Sequence, residues 1–179
     1  MHLVIISQIK DYKMSIKNFI LSTIIVLTAG FVSAQTSELK TNVKDLNTAE
    51  NAEVTLDDVL SQYKGKVVYL DFWASWCGPC KREMPHSLKM QETFKDKDVA
   101  FVYISTDRNV DAWYAAIKNL KLTGEHYRVN RNVHIEMNKR FNVAYIPRYV
   151  LIDKEGNVVN ATANRPSNAQ SVKDIEKLL

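Results

Sequence analysis

Apolar and polar positions along this chain fall into short blocks with two different periods. Lys66–Trp73 (KVVYLDFW) is a run of β-branched and aromatic residues behind the turn residue Gly65, and it predicts a buried strand. Val99–Ser105 (VAFVYIS) predicts a second. Between them, residues 78–94 predict a helix, with Pro85 expected to interrupt and kink it. Val110, Trp113, Tyr114, Ile117 and Leu120 recur at helical spacing and predict a helix over 110–120. A shorter helix is read over 133–141. Arg148–Ile152 reads as a strand, Lys154–Asn157 as a hairpin turn and Val158–Ala161 as its return strand. Ser167 is read as the cap of a last helix, on which Val172, Ile175 and Leu179 share a face. Strands alternating with helices, closed by a hairpin and a helix, predict an α/β fold with a central mixed β-sheet flanked by helices.

The amino terminus departs from this pattern. Phe19–Val32 (FILSTIIVLTAGFV) carries no charge, follows Lys17 and ends in the small-residue site Val32-Ser33-Ala34. That order reads as a secretory signal over residues 1–34, with Met14 an alternative start. An uncleaved anchor is the competing reading, but 14 helical residues reach roughly 21 Å against a hydrocarbon core of ~30 Å. Residues 35–53 read as a linker or an edge strand, and residues 54–179 as the folded domain. Export to the periplasm follows as the expected location.

Composition narrows the partners. The 179 residues are 46% apolar and 25% charged, an ordinary globular balance that predicts one domain. Taking the three lysines and one aspartate of residues 1–34 from the 24 basic and 20 acidic residues leaves a net charge of +2. With no basic cluster and no nucleic-acid motif, nucleic acid is not an expected partner.

The chain's two cysteines stand together in Trp76-Cys77-Gly78-Pro79-Cys80. A zinc site needs about four ligands, and no second C-x-x-C or H-x-x-x-H accompanies the pair. A structural bridge would close a loop of about four residues, for which chain entropy gives roughly 2 kcal/mol. Thiol–disulfide exchange needs an attacking thiolate with a second thiol close enough to resolve the mixed disulfide. Cysteines at i and i+3 of a helix start supply both. The first is expected to be exposed beside free N–H groups and the positive end of the helix dipole, the second one turn inside. Gly78 is read as permitting a tight turn and Pro79 as suited to the first helical turn.

The segment V-V-Y-L-D-F-W-A-S-W-C-G-P-C-K-R-E-M-P resembles thioredoxin-fold proteins. The V-T-L-D-D-V-L stretch before it, the L-I-D-K-E-G-N-V-V stretch after it and the apolar leader are similar to exported TlpA/ResA-like thiol–disulfide oxidoreductases. The resemblance covers residues 54–179. It implies that Cys77 is the nucleophile, Cys80 the resolving thiol and Asp71 a buried acid exchanging a proton with Cys80. It also implies a cis Ile146–Pro147 bond beside the disulfide, with Ile146, Pro147 and Trp76 meeting the substrate. Where relatives often place Thr, this chain has Arg148, which either reaches the site or lies along the sheet.

Trp73 is expected to pack at the site and Trp113 in the core. Lys81 and Arg82 are read as solvated, and His86, His126 and His134 as surface or structural residues. The Gly-Pro dipeptide resembles that of thioredoxin, whose couple lies near −270 mV, about 150 mV below that of oxidising DsbA. A reductant of protein disulfides follows, monomeric, with no metal or cofactor, supplied with electrons by a membrane-embedded thiol donor. The alternatives are a peroxiredoxin-like peroxidase, although Ala74 occupies the position where its Thr would stand, and a copper-binding or chaperone module.

Overall fold

The computed structural model describes residues 40–179. Six strands form one sheet: β1 (Thr41–Asp45), β2 (Val67–Trp73), β3 (Val99–Ser105), β4 (Gly124–Arg128), β5 (Arg148–Ile152) and β6 (Val158–Asn160). Five helices flank it: α1 (Leu56–Ser61), α2 (Gly78–Thr93), α3 (Val110–Asn119), α4 (Arg131–Phe141) and α5 (Gln170–Glu176). The strand order is β1-β4-β3-β2-β5-β6. The first four neighbours run parallel, whereas β5 pairs antiparallel with both β2 and β6. The sheet is therefore mixed, as its sequence pattern predicts.

Every residue of β2 is buried, because helices cover both faces of the sheet. Its period-two alternation divides the interior. Val68, Leu70 and Phe72 pack with Leu56 and Val59 of α1 and Val133, Met137 and Phe141 of α4. Val67, Tyr69 and Trp73 pack with Met84 and Met90 of α2, Trp113 and Ile117 of α3 and Ile175 of α5.

Local chemistry sets most helix starts. Thr55 and Asp58 form a reciprocal capping box at α1, Asn109 caps α3 and Asn130 caps α4. The last helix departs from expectation. It begins at Gln170 after Ala169, whose side chain makes no capping bond, while the Ser167 N–H and hydroxyl both donate to Glu83. Helix α2 runs through Pro85, which leaves the Lys81 carbonyl without its usual N–H donor.

The sequence pattern did not reveal β4. Its residues, Gly-Glu-His-Tyr-Arg, look polar, yet His126, Tyr127 and Arg128 are buried between β1 and β3. Gly124 starts the strand at φ 99°, and a Cβ there would lie 2.9 Å from the Phe101 carbonyl oxygen. Only glycine fits that approach. Among the described residues no helix is long and apolar enough to cross a membrane. The signal-sequence reading lies outside the described residues.

Candidate active site

The site grows out of the end of β2. Ala74–Trp76 carries the chain from the strand into α2, and the Cys77 N–H closes the turn on the Ala74 carbonyl at 3.0 Å. Cys77 is the N-cap of α2, and its Sγ accepts the Cys80 N–H at 3.1 Å. A sulfur here meets one of the unpaired donors of the helix start and the positive end of its dipole, both of which favour a thiolate. The two cysteines form a disulfide. Cys80 is wholly buried, whereas Cys77, expected to be exposed, keeps only 4% of its surface accessible because it packs into the core cluster of the α2 side. Pro79 occupies the first turn of the helix. Gly78 differs from expectation: its φ is not left-handed, and an added Cβ would come only to 3.8 Å of Arg82. The turn itself does not demand glycine.

Asp71, on β2, lies on the α2 side of the sheet, within electrostatic reach of Glu83 of α2. It is 1% exposed, and neither carboxylate oxygen has a hydrogen-bond partner. Burial, and then the negative charge of Glu83, push its carboxyl well above the usual range. Asp71 in turn raises the phenols of Tyr69, Tyr103 and Tyr149, second to burial itself.

Glu83 was not singled out from the sequence, because K-R-E reads as a solvated helical run. The structure makes it 7% exposed, with its carboxylate accepting from the Ser167 N–H at 2.9 Å and the Ser167 hydroxyl at 3.1 Å. Arg165 stands 3.7 Å away. Its spacing carried one available signal: three residues beyond Cys80, it must share that buried cysteine's helix face.

Trp76 is 67% exposed beside Cys77, whereas Trp73 is buried, its ring edge-on to His126. The Ile146–Pro147 bond is cis. Ile146 packs against the cluster that contains Cys77 and Cys80. Trp76 and Ile146 also border one open cleft of about 390 Å³, together with His134, Met137, Val143 and Tyr145. Arg148 takes a third course beyond the two considered. Its guanidinium donates to the Asn142 carbonyl at 2.9 Å and lies over the Tyr145 ring at 5.3 Å, bracing the loop before Pro147. Lys81, Arg82, His86 and His134 are exposed. His126 is instead buried and stacked on Tyr103 at 4.5 Å, and burial pushes its imidazole down to about 4. Among the described residues no group of three or more His, Cys, Asp or Glu side chains is arranged to hold a metal ion.

The fold and the cysteine pair define a class: an α/β sandwich presenting a C-x-x-C disulfide at the start of a helix that follows a central strand. The chain belongs to the thioredoxin-like family, whose model matches residues 65–158. It is similar to the thiol-disulfide oxidoreductase ResA of Bacillus thuringiensis, 29% identical over 119 residues covering 66% of this chain and 67% of the relative. Against ResA of Bacillus subtilis the identity is 35% over 101 residues, 56% of this chain and about half (54%) of that protein. Among solved structures, the thioredoxin domain of a thiol-disulfide oxidoreductase from Bacteroides vulgatus is 30% identical, with a TM-score of 0.60 over 66% of this chain and 82% of that one. A second Bacteroides vulgatus crystal structure is 37% identical, with a TM-score of 0.62 over 67% and 83% of the two chains.

Proposed function

We propose that this protein is an exported thiol–disulfide oxidoreductase that reduces disulfides in other proteins. The observation that carries the reading is the Cys77–Cys80 disulfide at the start of α2, where Cys77 is the N-cap whose Sγ accepts a helix N–H and Cys80 is wholly buried in the first turn. In the reduced protein the Cys77 thiolate attacks a client disulfide, forming a mixed disulfide and releasing one client thiolate. Cys80 then loses its proton and attacks Cys77 Sγ. That step releases the second client thiolate and leaves the Cys77–Cys80 disulfide, so two electrons pass to the client.

Asp71 receives the Cys80 proton, with water bridging the gap. A carboxyl held well above its usual range can take up a proton that an ordinary carboxylate would not keep, which suits this task. Trp76, Ile146 and Pro147 form the surface that meets the client. The Gly-Pro dipeptide favours the reducing direction. A membrane-embedded dithiol donor returns the pair to the reduced state, and the apolar leader places the monomeric protein in the periplasm.

The test is covalent trapping. Cys80→Ser leaves the nucleophile but removes the resolving thiol, so client proteins should accumulate as mixed disulfides in the exported fraction. Cys77→Ser should trap few or none. If the Cys77 variant were the better trap, the two roles would be exchanged; if neither variant trapped any protein, the oxidoreductase reading would fail.

A further inference from the structure

Two residues before Cys77, Ser75 is held from outside its own segment. Asp107, in the loop after β3, accepts the Ser75 N–H at 2.8 Å on Oδ2 and the Ser75 hydroxyl at 2.6 Å on Oδ1. The Ser105 hydroxyl donates to the same Oδ2 at 2.7 Å, and the Asp107 N–H donates back to Ser105 Oγ at 3.0 Å. Asp107 is buried, so these bonds form away from solvent. Its backbone is fixed too. Arg128 of β4 donates to the Asp107 carbonyl at 3.4 Å and to Asp45 of β1 at 2.7 Å. One line of contacts therefore runs from the edge strand, across β4 and β3, to the turn that presents the cysteines.

We propose that Asp107 is a positioning residue for the redox turn, setting the reactivity of Cys77 through its two bonds to Ser75. This rests on the exchange reaction proposed above. The segment from Ala74 to Cys77 is anchored at its two ends, Ala74 by burial and by accepting the Cys77 N–H, and Cys77 by the disulfide and by accepting the Lys81 N–H at 3.1 Å, so Asp107 supplies the hold at Ser75 between them. Without the carboxylate, Ser75 loses both partners and the turn is free to shift. Cys77 Sγ then leaves the Cys80 N–H, its contact with the positive end of α2, and Trp76 moves with it. Asp107 touches neither sulfur in this network. It acts through Ser75, in the way that supporting hydrogen bonds hold a catalytic group within a fraction of an ångström of its working position.

Two substitutions separate geometry from charge. In Asp107→Asn the amide oxygen can still accept from the Ser75 N–H and the Ser105 hydroxyl, while its NH₂ donates to Ser75 Oγ. In Asp107→Ala all three side-chain bonds go. The measurement is the rate of iodoacetamide alkylation of Cys77 in the full reduced protein at pH 7, well below each variant's melting temperature. Asp107→Ala should slow alkylation about three- to tenfold, as expected when a thiolate loses its stabilising donor and the thiolate fraction falls. Asp107→Asn should stay within about twofold of wild type, a rescue that a contribution from charge alone would not give.

A wild-type alkylation rate in a folded but less stable Asp107→Ala protein would reduce Asp107 to a structural residue. An Asn variant as slow as the Ala variant would assign the effect to charge and overturn the hydrogen-bonding account. If the Ala variant does not fold, Ser75→Ala removes one of the two bonds and should slow alkylation two- to threefold by the same logic; an unchanged rate there would also refute the proposal. Alkylation requires no client, so these outcomes stand apart from whether the wild-type protein exchanges with a protein disulfide.

Discussion

Alternate residues of β2 enter two interiors of different chemistry. Val68, Leu70 and Phe72 meet α1 and α4 in a layer that is almost wholly hydrocarbon, with Tyr127 and Tyr63 joining their hydroxyls at its margin. Tyr69, Asp71 and Trp73 face α2, α3 and α5. That side also holds Glu83, His126 and the Tyr103–Ser87–Gln91 hydrogen-bond network. The cysteine pair belongs to this second layer. A dry layer lowers free energy simply by removing apolar surface from water. The mixed layer retains buried groups that are costly without partners, and a carboxyl such as Asp71 is tolerated there in its neutral form. The difference teaches that both faces bury a core, while the groups able to exchange protons are gathered on one of them.

The largest expected effect lies on the dry face. Leu70→Ala should lower stability by about 2–5 kcal/mol, the usual cost of emptying a packed leucine site. Urea unfolding would measure this, while Cys77 alkylation in the folded protein should be unchanged. Altered alkylation at equal foldedness would break the contrast between the two faces.

On the mixed face, His126 should govern acid sensitivity. Burial holds its folded value near 4 against 6.5 for an ordinary histidine. Between those values the unfolded chain takes up a proton that the folded chain refuses, so stability rises with pH across that window and is lost as pH falls through it. At about 1.4 kcal/mol per pK unit the loss amounts to a few kcal/mol. His126→Phe, which can keep the stack on Tyr103, should flatten the dependence between pH 6.5 and 4. A curve as steep as wild type would remove His126 as its source.

Asp71 has the opposite sign. Its folded value is raised, so the folded state retains a proton that the unfolded chain has released, and wild-type stability falls as pH climbs above the ordinary carboxylate range. Asp71→Asn should therefore melt a few degrees higher at pH 7, with the advantage vanishing near pH 4. Resolution of a preformed mixed disulfide should slow at least about tenfold, as expected on losing a positioned proton acceptor. A variant no more stable than wild type at pH 7, with normal resolution kinetics, would sink both statements.

The smallest effect belongs to the rim. Trp76→Ala removes a mostly exposed ring. Stability should not change, and exchange with a protein disulfide should fall roughly threefold, under 1 kcal/mol. Reaction with a small disulfide should be spared. Equal slowing of both would show that Trp76 shapes the turn rather than the contact surface.

Local rules made much of this protein legible in advance. The strand at 67–73 announces itself by β-branched and aromatic residues. The C-G-P-C spacing places one sulfur at a helix start and the other a turn inside, because helical geometry is set within a few residues. The family resemblance then supplied the cis proline and the buried acid. Signals that depend on neighbours failed. β4 is a strand because β1 and β3 take up its backbone groups, whatever its polar composition. Ser167 reads as a cap, yet a carboxylate 84 residues away claims both its donors. Arg148 reads as a residue facing the site or the sheet, and a carbonyl with an aromatic ring draws it onto the loop instead.

What the sequence alone determined is the chemistry available: two thiols at i and i+3, a strand to present them and an acid six residues earlier. The environment of those groups was decided by tertiary structure. Asp71 has an altered proton affinity because α2 closes over it and brings Glu83 near. Ser75 is held because the loop after β3 ends beside it, 32 residues along the chain. Burial and electrostatic coupling are properties of whatever surrounds a group in space, and only the assembled sheet and helices bring those surroundings together.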